Sequence, residues 1–229
     1  MTGHPLDSPT WAALTGPQRS LAETNGAAAR YRHAVAPFGA LRDGPDATDP
    51  RQWADMAALA GPGAQVVLSG AEPAPPAGWT LLERIPGVQM DGTGLVPEPD
   101  PKAVELGADD VPEMLDLVKR TRPGPFRRET HLMGGYLGIR DDAGALVAMA
   151  GQRLNPPGWV EISAVCTDPA HRGRGLAARL VRAVAQGIRD RGEVPFLHAA
   201  DTNTGAIRLY RELGFAVRSP IVFAAYRAA

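Results

Sequence analysis

The chain has 229 residues, of which 44% are hydrophobic and 21% are charged, and its formal net charge is -1. This composition is that of a soluble globular protein, and the near-neutral charge excludes the strongly basic surface typical of nucleic-acid binding. Because no run of about 18 consecutive apolar residues occurs, we expect no membrane span and no membrane partner. The single cysteine, Cys166, excludes a disulfide within the chain and indicates a reducing, cytoplasmic location, where we expect a monomer or a homodimer.

The first hundred residues carry weak helical and strand signals. Asp49 and Pro50 predict the N-cap and the first turn of a helix that ends before Gly61. Two short β-rich runs follow, at residues 64–70 and 78–85. These signals indicate a small α/β unit in which no catalytic side chains cluster.

A stretch rich in Gly, Pro and acidic residues, 91–102, has no periodicity and indicates a linker. We therefore predict two domains: a small α/β N-terminal domain over residues 1–100 and a second domain over residues 101–229. Alternatively, the first part is a degenerate second copy of the fold that follows it.

The second part shows a clear alternation of strand and helix patterns, which predicts a mixed α/β fold with an antiparallel first half and one β-α-β crossover. The predicted order is a strand at 102–107, a helix at 108–121, strands at 135–140, 145–154 and 159–167, a long helix from 176, a strand at 195–200, a helix at 203–214, and a closing hairpin of strands at 215–218 and 221–227.

The glycine-rich loop at residues 171–178 fits two motifs. Gly173, Gly175 and Ala178 match the G-x-G-x-x-G/A fingerprint of dinucleotide binding. That fingerprint requires the strand to feed almost directly into the first glycine, but residues 168–172 intervene here. The chain remaining after this loop is also too short to complete a doubly wound nucleotide domain, so the first motif is disfavoured.

The second motif is Arg172-x-x-Gly175-x-Ala177, at the start of a helix. The first amides of a helix have no partner inside it, and the helix dipole attracts an anion to them. Gly173 and Gly175 let a diphosphate approach the backbone without a Cβ in the way. The loop therefore predicts a phosphate site.

Here the sequence resembles the GNAT superfamily of acyl-CoA-dependent N-acyltransferases. The superfamily signature Gln/Arg-x-x-Gly-x-Gly/Ala is met by Arg172, Gly175 and Ala177, and residues 203–215 resemble its second cofactor-contacting segment. The resemblance covers residues 102–229. It implies a mixed, mostly antiparallel central sheet flanked by helices, with acetyl-CoA as co-substrate. His171 and His198 lack the spacing of a metal site, so we expect no metal.

The resemblance implies a set of cofactor contacts. The strand before the loop should part from its neighbour, and the backbone of Val165 and Thr167 should hold the pantetheine arm in the gap, while the amides of 173–178 hold the diphosphate. The implied cofactor-binding residues are Val165, Cys166, Thr167, Arg172, Gly173, Arg174, Gly175, Leu176, Ala177, Ala178, Asn203 and Tyr210.

Two catalytic residues are implied in the same way. Asn203 and Tyr210 lie seven residues apart on one helix face, and Tyr210 would be the general acid that protonates the departing thiolate. Glu161, on the strand before the loop, would be the base or only the anchor of a water chain. The resemblance also suggests a bulge in that strand.

The acceptor is expected to be a small-molecule amine or a peptide amine. Arg127, Arg128, Glu129 and His131 either read the acceptor's charge or belong to a solvated loop. We predict an N-acetyltransferase that works by direct transfer in a ternary complex. The alternative is a non-catalytic CoA-binding or regulatory module.

Overall fold

The computed structural model describes residues 3–44, 49–70 and 75–229. The helices are α1 (Pro9–Thr15), α2 (Pro50–Ala60), α3 (Val111–Thr121), α4 (Leu176–Asp190) and α5 (Thr204–Glu212). The strands are β1 (Ala22–Asn25), β2 (Ala28–Tyr31), β3 (Gly39–Leu41), β4 (Gln65–Gly70), β5 (Trp79–Asp91), β6 (Val104–Leu106), β7 (Tyr136–Arg140), β8 (Leu146–Gln152), β9 (Trp159–Thr167), β10 (Val194–Ala200) and β11 (Ala216–Ala228). No helix within the described ranges has both the length and the apolar character needed to cross a membrane.

The central sheet has eight strands in the order β4-β11-β5-β10-β9-β8-β7-β6. Neighbouring strands run antiparallel except for β9 and β10, which are parallel and are joined by α4 as the crossover. A second sheet of β1, β2 and β3 lies in the first part of the chain. The predicted mixed, mostly antiparallel fold is therefore confirmed.

Helices cover both faces of the central sheet, and successive side chains of its inner strands are therefore buried on alternate faces. Ala148 and Ala150 of β8 pack in the cluster that contains Leu180 of α4, whereas Met149 between them packs with Met114 of α3. The N-terminal segment also covers a face, since Leu6 and Tyr31 share a cluster with Phe196 of β10. The result is a three-layer arrangement with the sheet in the middle.

The first hundred residues contribute two strands to this sheet. β4 pairs with β11, and β5 lies between β11 and β10. Residue 100 thus falls between two strands of one sheet. The division into domains at 1–100 and 101–229 stays a prediction.

The predicted closing hairpin is wrong, because β11 is one continuous strand. It pairs with β5 from Ala216 to Ala228, with a register shift between Val217 and Ser219. Ser219 and Pro220, which separate the two predicted strands, lie within β11. Pro220 is accommodated there because β4 pairs with β11 only from Val222 onward, so Pro220 lies where β11 forms the sheet edge.

Candidate functional site

β9 and β10 lie side by side over only a short distance. They pair at three positions, from Val194 opposite Trp159 to Phe196 opposite Glu161. Both strands then continue, β9 to Thr167 and β10 to Ala200, but they no longer pair with each other. Their backbones therefore part beyond Glu161 and leave a gap at the centre of the sheet.

A bulge in β9 occurs beside this gap, as the resemblance suggests. The β8–β9 register shifts between Cys166 and Ser163, and Ala164 has a φ of 53°. As a consequence, Ile162 and Val165 both pack towards α4, whereas Cys166 packs with α3. The bulge thus reverses which residues of β9 point to which face of the sheet, next to the cavity.

A cavity of about 790 Å³ opens at the gap. One end of it is bounded by the end of β9, the loop before α4 and the inner side of α5. The predicted cofactor-binding residues that line it are Val165, Cys166, Thr167, Arg172, Gly173, Gly175, Leu176, Ala177, Ala178, Asn203 and Tyr210. Of the predicted set, Arg174 does not line the cavity.

The loop before α4 presents open backbone. Gly173 and Gly175 have φ angles of 77° and 72°, and a Cβ added at either would meet nothing within 4 Å. The glycines are therefore needed for their left-handed conformation and not for packing. The helix N-cap lacks a side-chain hydrogen bond, so the amides of Leu176–Ala178 need partners from outside the helix. This geometry fits an anion such as a diphosphate.

Thr167 adds a second open group at this end. Its hydroxyl oxygen is enclosed and has no hydrogen-bond partner among the described residues. Arg172 lies beside it, with its Nε 3.4 Å from the Thr167 carbonyl oxygen. The end of β9 therefore has hydrogen-bonding capacity that the protein itself does not use.

Asn203 and Tyr210 both face the cavity from α5. The Asn203 side-chain oxygen caps the helix by accepting a hydrogen bond from the Ala206 amide at 3.2 Å. Tyr210 is 8% exposed and packs edge-on against Phe215. Burial, with a smaller contribution from Cys166, raises the pKa of Tyr210 to about 12. Its hydroxyl is therefore protonated at neutral pH.

Glu161 is fully enclosed and does not line the cavity. Arg153 donates to both carboxylate oxygens, from Nε at 2.8 Å and from Nη2 at 2.5 Å, and His198 Nδ1 lies 2.7 Å from Oε1. Burial alone would raise the pKa of Glu161, but Arg153 and His198 outweigh it and lower the pKa to about 2. Glu161 is thus ionised at neutral pH, and both of its carboxylate oxygens already have partners within the protein.

His198 and Arg153 line the cavity, although sequence reasoning did not assign either to the site. The His198 ring lies edge-on to Phe196 and Phe223, and its Nε2 is 3.1 Å from Gln89 Nε2. A histidine within a buried, apolar strand needs a polar partner, which is the one sequence signal that could have singled it out. The identity of that partner depends on the tertiary fold.

The predicted acceptor-reading residues lie elsewhere. Arg127, Arg128, Glu129 and His131 do not line the cavity. Their loop is instead tied to the N-terminal part, since Arg127 donates to the His33 carbonyl and the Glu129 amide to the Ala34 carbonyl at 3.0 Å. Residues 122–125, which precede them in the chain, do line the cavity. In the part of the chain that the structure describes, no group of three or more His, Cys, Asp or Glu could hold a metal ion.

Comparison with known proteins gives one family and several relatives. The family model described as FR47-like protein matches residues 136–224. N-alpha-acetyltransferase RimI of Mycobacterium tuberculosis is 38% identical over 97 residues, which are 41% of this chain and 60% of that protein. Mycothiol acetyltransferase of Mycolicibacterium gilvum is 32% identical over 99 residues, which are 40% of this chain and 33% of that protein. The chain thus spans less than two thirds of either relative.

Solved structures match over the whole chain. A protein of Novosphingobium aromaticivorans, described as an acetyltransferase from the GNAT family, is 42% identical with a TM-score of 0.90, covering 99% of this chain and all (100%) of that one. A GCN5-related N-acetyltransferase from Kribbella flavida shares the fold at 22% identity and a TM-score of 0.60, covering 94% of this chain and 93% of that one.

The enclosed ion pair predicts a pH-dependent loss of stability in Glu161→Gln. At pH 7 the free energy of unfolding should fall by about 3 to 5 kcal/mol, because Arg153 remains charged and enclosed without its carboxylate. The pKa of Glu161 is lowered from 4.5 to about 2, so its contribution is complete above pH 4.5 and is lost as the pH falls through 2. The gap between wild type and variant, measured by urea unfolding, should therefore be smaller at pH 3 than at pH 7.

Glu98→Gln is the matched control for this measurement. Glu98 forms an ion pair with Arg182 but is 67% exposed, so its replacement should cost about 0 to 1 kcal/mol at either pH. An equal loss of unfolding free energy in the two variants would contradict the assignment of Glu161 as an enclosed, ionised partner of Arg153. A difference between wild type and Glu161→Gln that does not change with pH would contradict it as well.

Proposed function

This chain belongs to the GNAT family, and from that premise we propose that it is an N-acetyltransferase that moves an acetyl group from acetyl-CoA to a primary amine by direct transfer in a ternary complex. The observation that carries the proposal is one continuous cavity of about 790 Å³. It joins the open backbone before α4 to a second end lined by Phe38, Arg153 and Phe223. A donor and an acceptor can therefore occupy it together. The names of the two curated relatives, an N-alpha-acetyltransferase and a mycothiol acetyltransferase, agree with an amine acceptor.

The residues present fit acetyl-CoA as the donor. The amides of residues 176–178 would hold its diphosphate, since they lack partners within the helix and lie beside open glycines. The backbone of Val165 and Thr167 would hold the pantetheine arm as an added strand, because β10 no longer pairs with β9 there. Bound in this way, acetyl-CoA would supply a thioester that a neutral amine can attack.

We assign Tyr210 the role of general acid. Its hydroxyl keeps its proton at neutral pH because burial raises its pKa to about 12, and it lines the cavity near the end of β9. As the amine nitrogen bonds to the acetyl carbon and the carbon–sulfur bond breaks, Tyr210 gives its proton to the leaving sulfur and later regains one from solvent.

Glu161 is a poor candidate for direct proton transfer from the amine. Its carboxylate is enclosed, accepts hydrogen bonds from Arg153, lies next to His198 Nδ1, and has a pKa of about 2. A general base works best with a pKa near the working pH. We therefore assign Glu161 to holding Arg153 and His198 in place, and the amine loses its proton to water in the cavity.

The direct test follows thiol release from acetyl-CoA over a panel of amines, together with a calorimetric titration of CoA. We expect tight binding and thiol release that depends on the amine. Binding without amine-dependent release would reject the enzyme and favour a CoA-binding or regulatory module.

Tyr210→Phe should lower kcat by about 100-fold or more, because the departing thiolate then lacks its proton donor. The Kd for acetyl-CoA should change by no more than about twofold, since the backbone supplies most contacts to the donor. Steady-state kinetics and calorimetry separate the two quantities.

Tyr136→Phe is the control, because Tyr136 is buried like Tyr210 but lies outside the cavity, and its hydroxyl has no partner among the described residues. Its kcat should match the wild type. An unchanged kcat in Tyr210→Phe would remove that residue as the acid.

The pH dependence of kcat/KM should reflect the amine pKa of the acceptor and not the pKa of a group on the enzyme. We expect kcat/KM to rise with pH to a midpoint that follows the amine pKa of each acceptor, because Glu161 is already ionised and Tyr210 still protonated throughout that range. Profiles for two acceptors whose amine pKa values differ by about two units should separate accordingly. A midpoint between pH 5 and 8 that both acceptors share would instead indicate a base on the protein.

A further inference from the structure

Arg153 is a charged residue of the cavity that the proposed chemistry leaves without a direct role. It follows β8, its side chain is 11% exposed, and its Cζ lies 4.8 Å from the centre of the Phe38 ring. Glu161 accepts from Nε and from one N–H of Nη2. Nη1 has no hydrogen-bond partner among the described residues, so both of its N–H groups are free to donate to a molecule in the cavity that Arg153 lines.

The orientation of this donor is set by a connected chain of polar groups. His198 contacts the Glu161 carboxylate from one side, Gln89 contacts His198, and Arg218 Nη1 donates to Gln89 Oε1 at 2.9 Å. Two hydrogen bonds from a planar guanidinium to one carboxylate hold its plane in place. Nη1 is therefore a fixed donor and not a mobile side chain at the cavity wall.

The charges around Arg153 determine which oxygen it can bind. Glu161 already neutralises the guanidinium, and Glu83 brings a further negative charge to the same end of the cavity. The other lining arginines, Arg122 and Arg172, lie at the end of α3 and in the loop before α4. A carboxylate at Nη1 would bring a second negative charge to a guanidinium that Glu161 already neutralises, whereas a neutral carbonyl oxygen accepts the hydrogen bond without that cost.

We infer that Arg153 is a specificity-determining residue whose Nη1 binds a neutral carbonyl oxygen next to the reacting amine, so that the acceptor is an α-amino amide. Glu161 is then a positioning residue, since it acts through Arg153. This inference rests on the proposed function for its reaction, but the binding of the acceptor can be measured separately.

The test uses the full chain and three acceptors that share one branched carbon framework. Alaninamide offers a neutral carbonyl, alanine a carboxylate, and isopropylamine no oxygen. With rates expressed per concentration of neutral amine, kcat/KM for alaninamide should exceed each of the others by about tenfold or more, mainly through KM. Equal values for the three acceptors would overturn the inference without any variant.

Arg153→Lys tests the residue itself. Lysine keeps the charge beside Glu161 but lacks the planar fork that engages Glu161 and a ligand together, so the preference for alaninamide over isopropylamine should fall to about one. Arg182→Lys, an ion-paired arginine outside the cavity lining, should keep the wild-type preference. A preference that survives in Arg153→Lys would assign the selectivity to another residue and overturn the inference.

Calorimetry of alaninamide binding in the presence of CoA gives a readout that does not depend on turnover. Binding should weaken about tenfold in Arg153→Lys and stay unchanged in Arg182→Lys. If no acceptor is turned over, the proposed function fails, and this titration still decides the role of Arg153. If acceptors are turned over but neither preference nor binding depends on Arg153, only the present inference fails.

Discussion

The separation of β9 from β10 is the constraint on which the rest of the site depends. Their parallel pairing ends at Glu161 and Phe196, and a bulge at Ala164 follows in β9, which continues to pair with β8 up to Thr167. Backbone groups inside a sheet normally satisfy one another, so a gap between two central strands is costly unless a ligand or water fills it. The gap leaves polar backbone along β9 that leads directly to the open amides at the start of α4. The backbone of the proposed acetyl-CoA site follows from this one departure from regular pairing.

The buried polar chain has a different physical basis. Removing Arg153 and Glu161 from water costs free energy, and the ion pair between them recovers it only in part, so net stability does not explain why they are enclosed. The chain continues through His198 and Gln89, and Gln89 Nε2 also donates to the Leu6 carbonyl at 3.0 Å. It therefore ties the N-terminal segment to the cavity wall. These interactions can fix the orientation of the Arg153 guanidinium even where they add little to the stability of the fold.

The parts of the molecule that local patterns encode could be predicted from the sequence. β9, the glycine loop and α4 follow one another along the chain, and their order and spacing are enough to indicate a phosphate site. The Asp49 cap of α2 is likewise local, and its carboxylate does accept from the Arg51 amide at 3.0 Å. In each case the residues that create the feature are near neighbours in sequence.

Features that depend on distant partners could not be predicted. β11 contains a serine–proline pair that is typical of a turn, and only its long pairing with β5 keeps it a single strand. His198 looks isolated because Glu161 and Gln89 lie 37 and 109 residues away. The resemblance implied that Glu161 is the base or the anchor of a water chain, but the position of Arg153, which lowers the pKa of Glu161, depends on the turn between β8 and β9.

The two ends of the cavity therefore differ in how they can change. The end proposed for the donor depends on backbone amides and on glycines in left-handed conformations, so its geometry does not require particular side chains beyond those glycines. The end proposed for the acceptor is lined by side chains, and Phe38, Val67 and Glu83 among them come from the first hundred residues. The family model covers residues 136–224, which include the glycine loop and Tyr210 but none of these three. Such a division would let proteins of this family share the proposed donor site while the side chains that contact the acceptor differ.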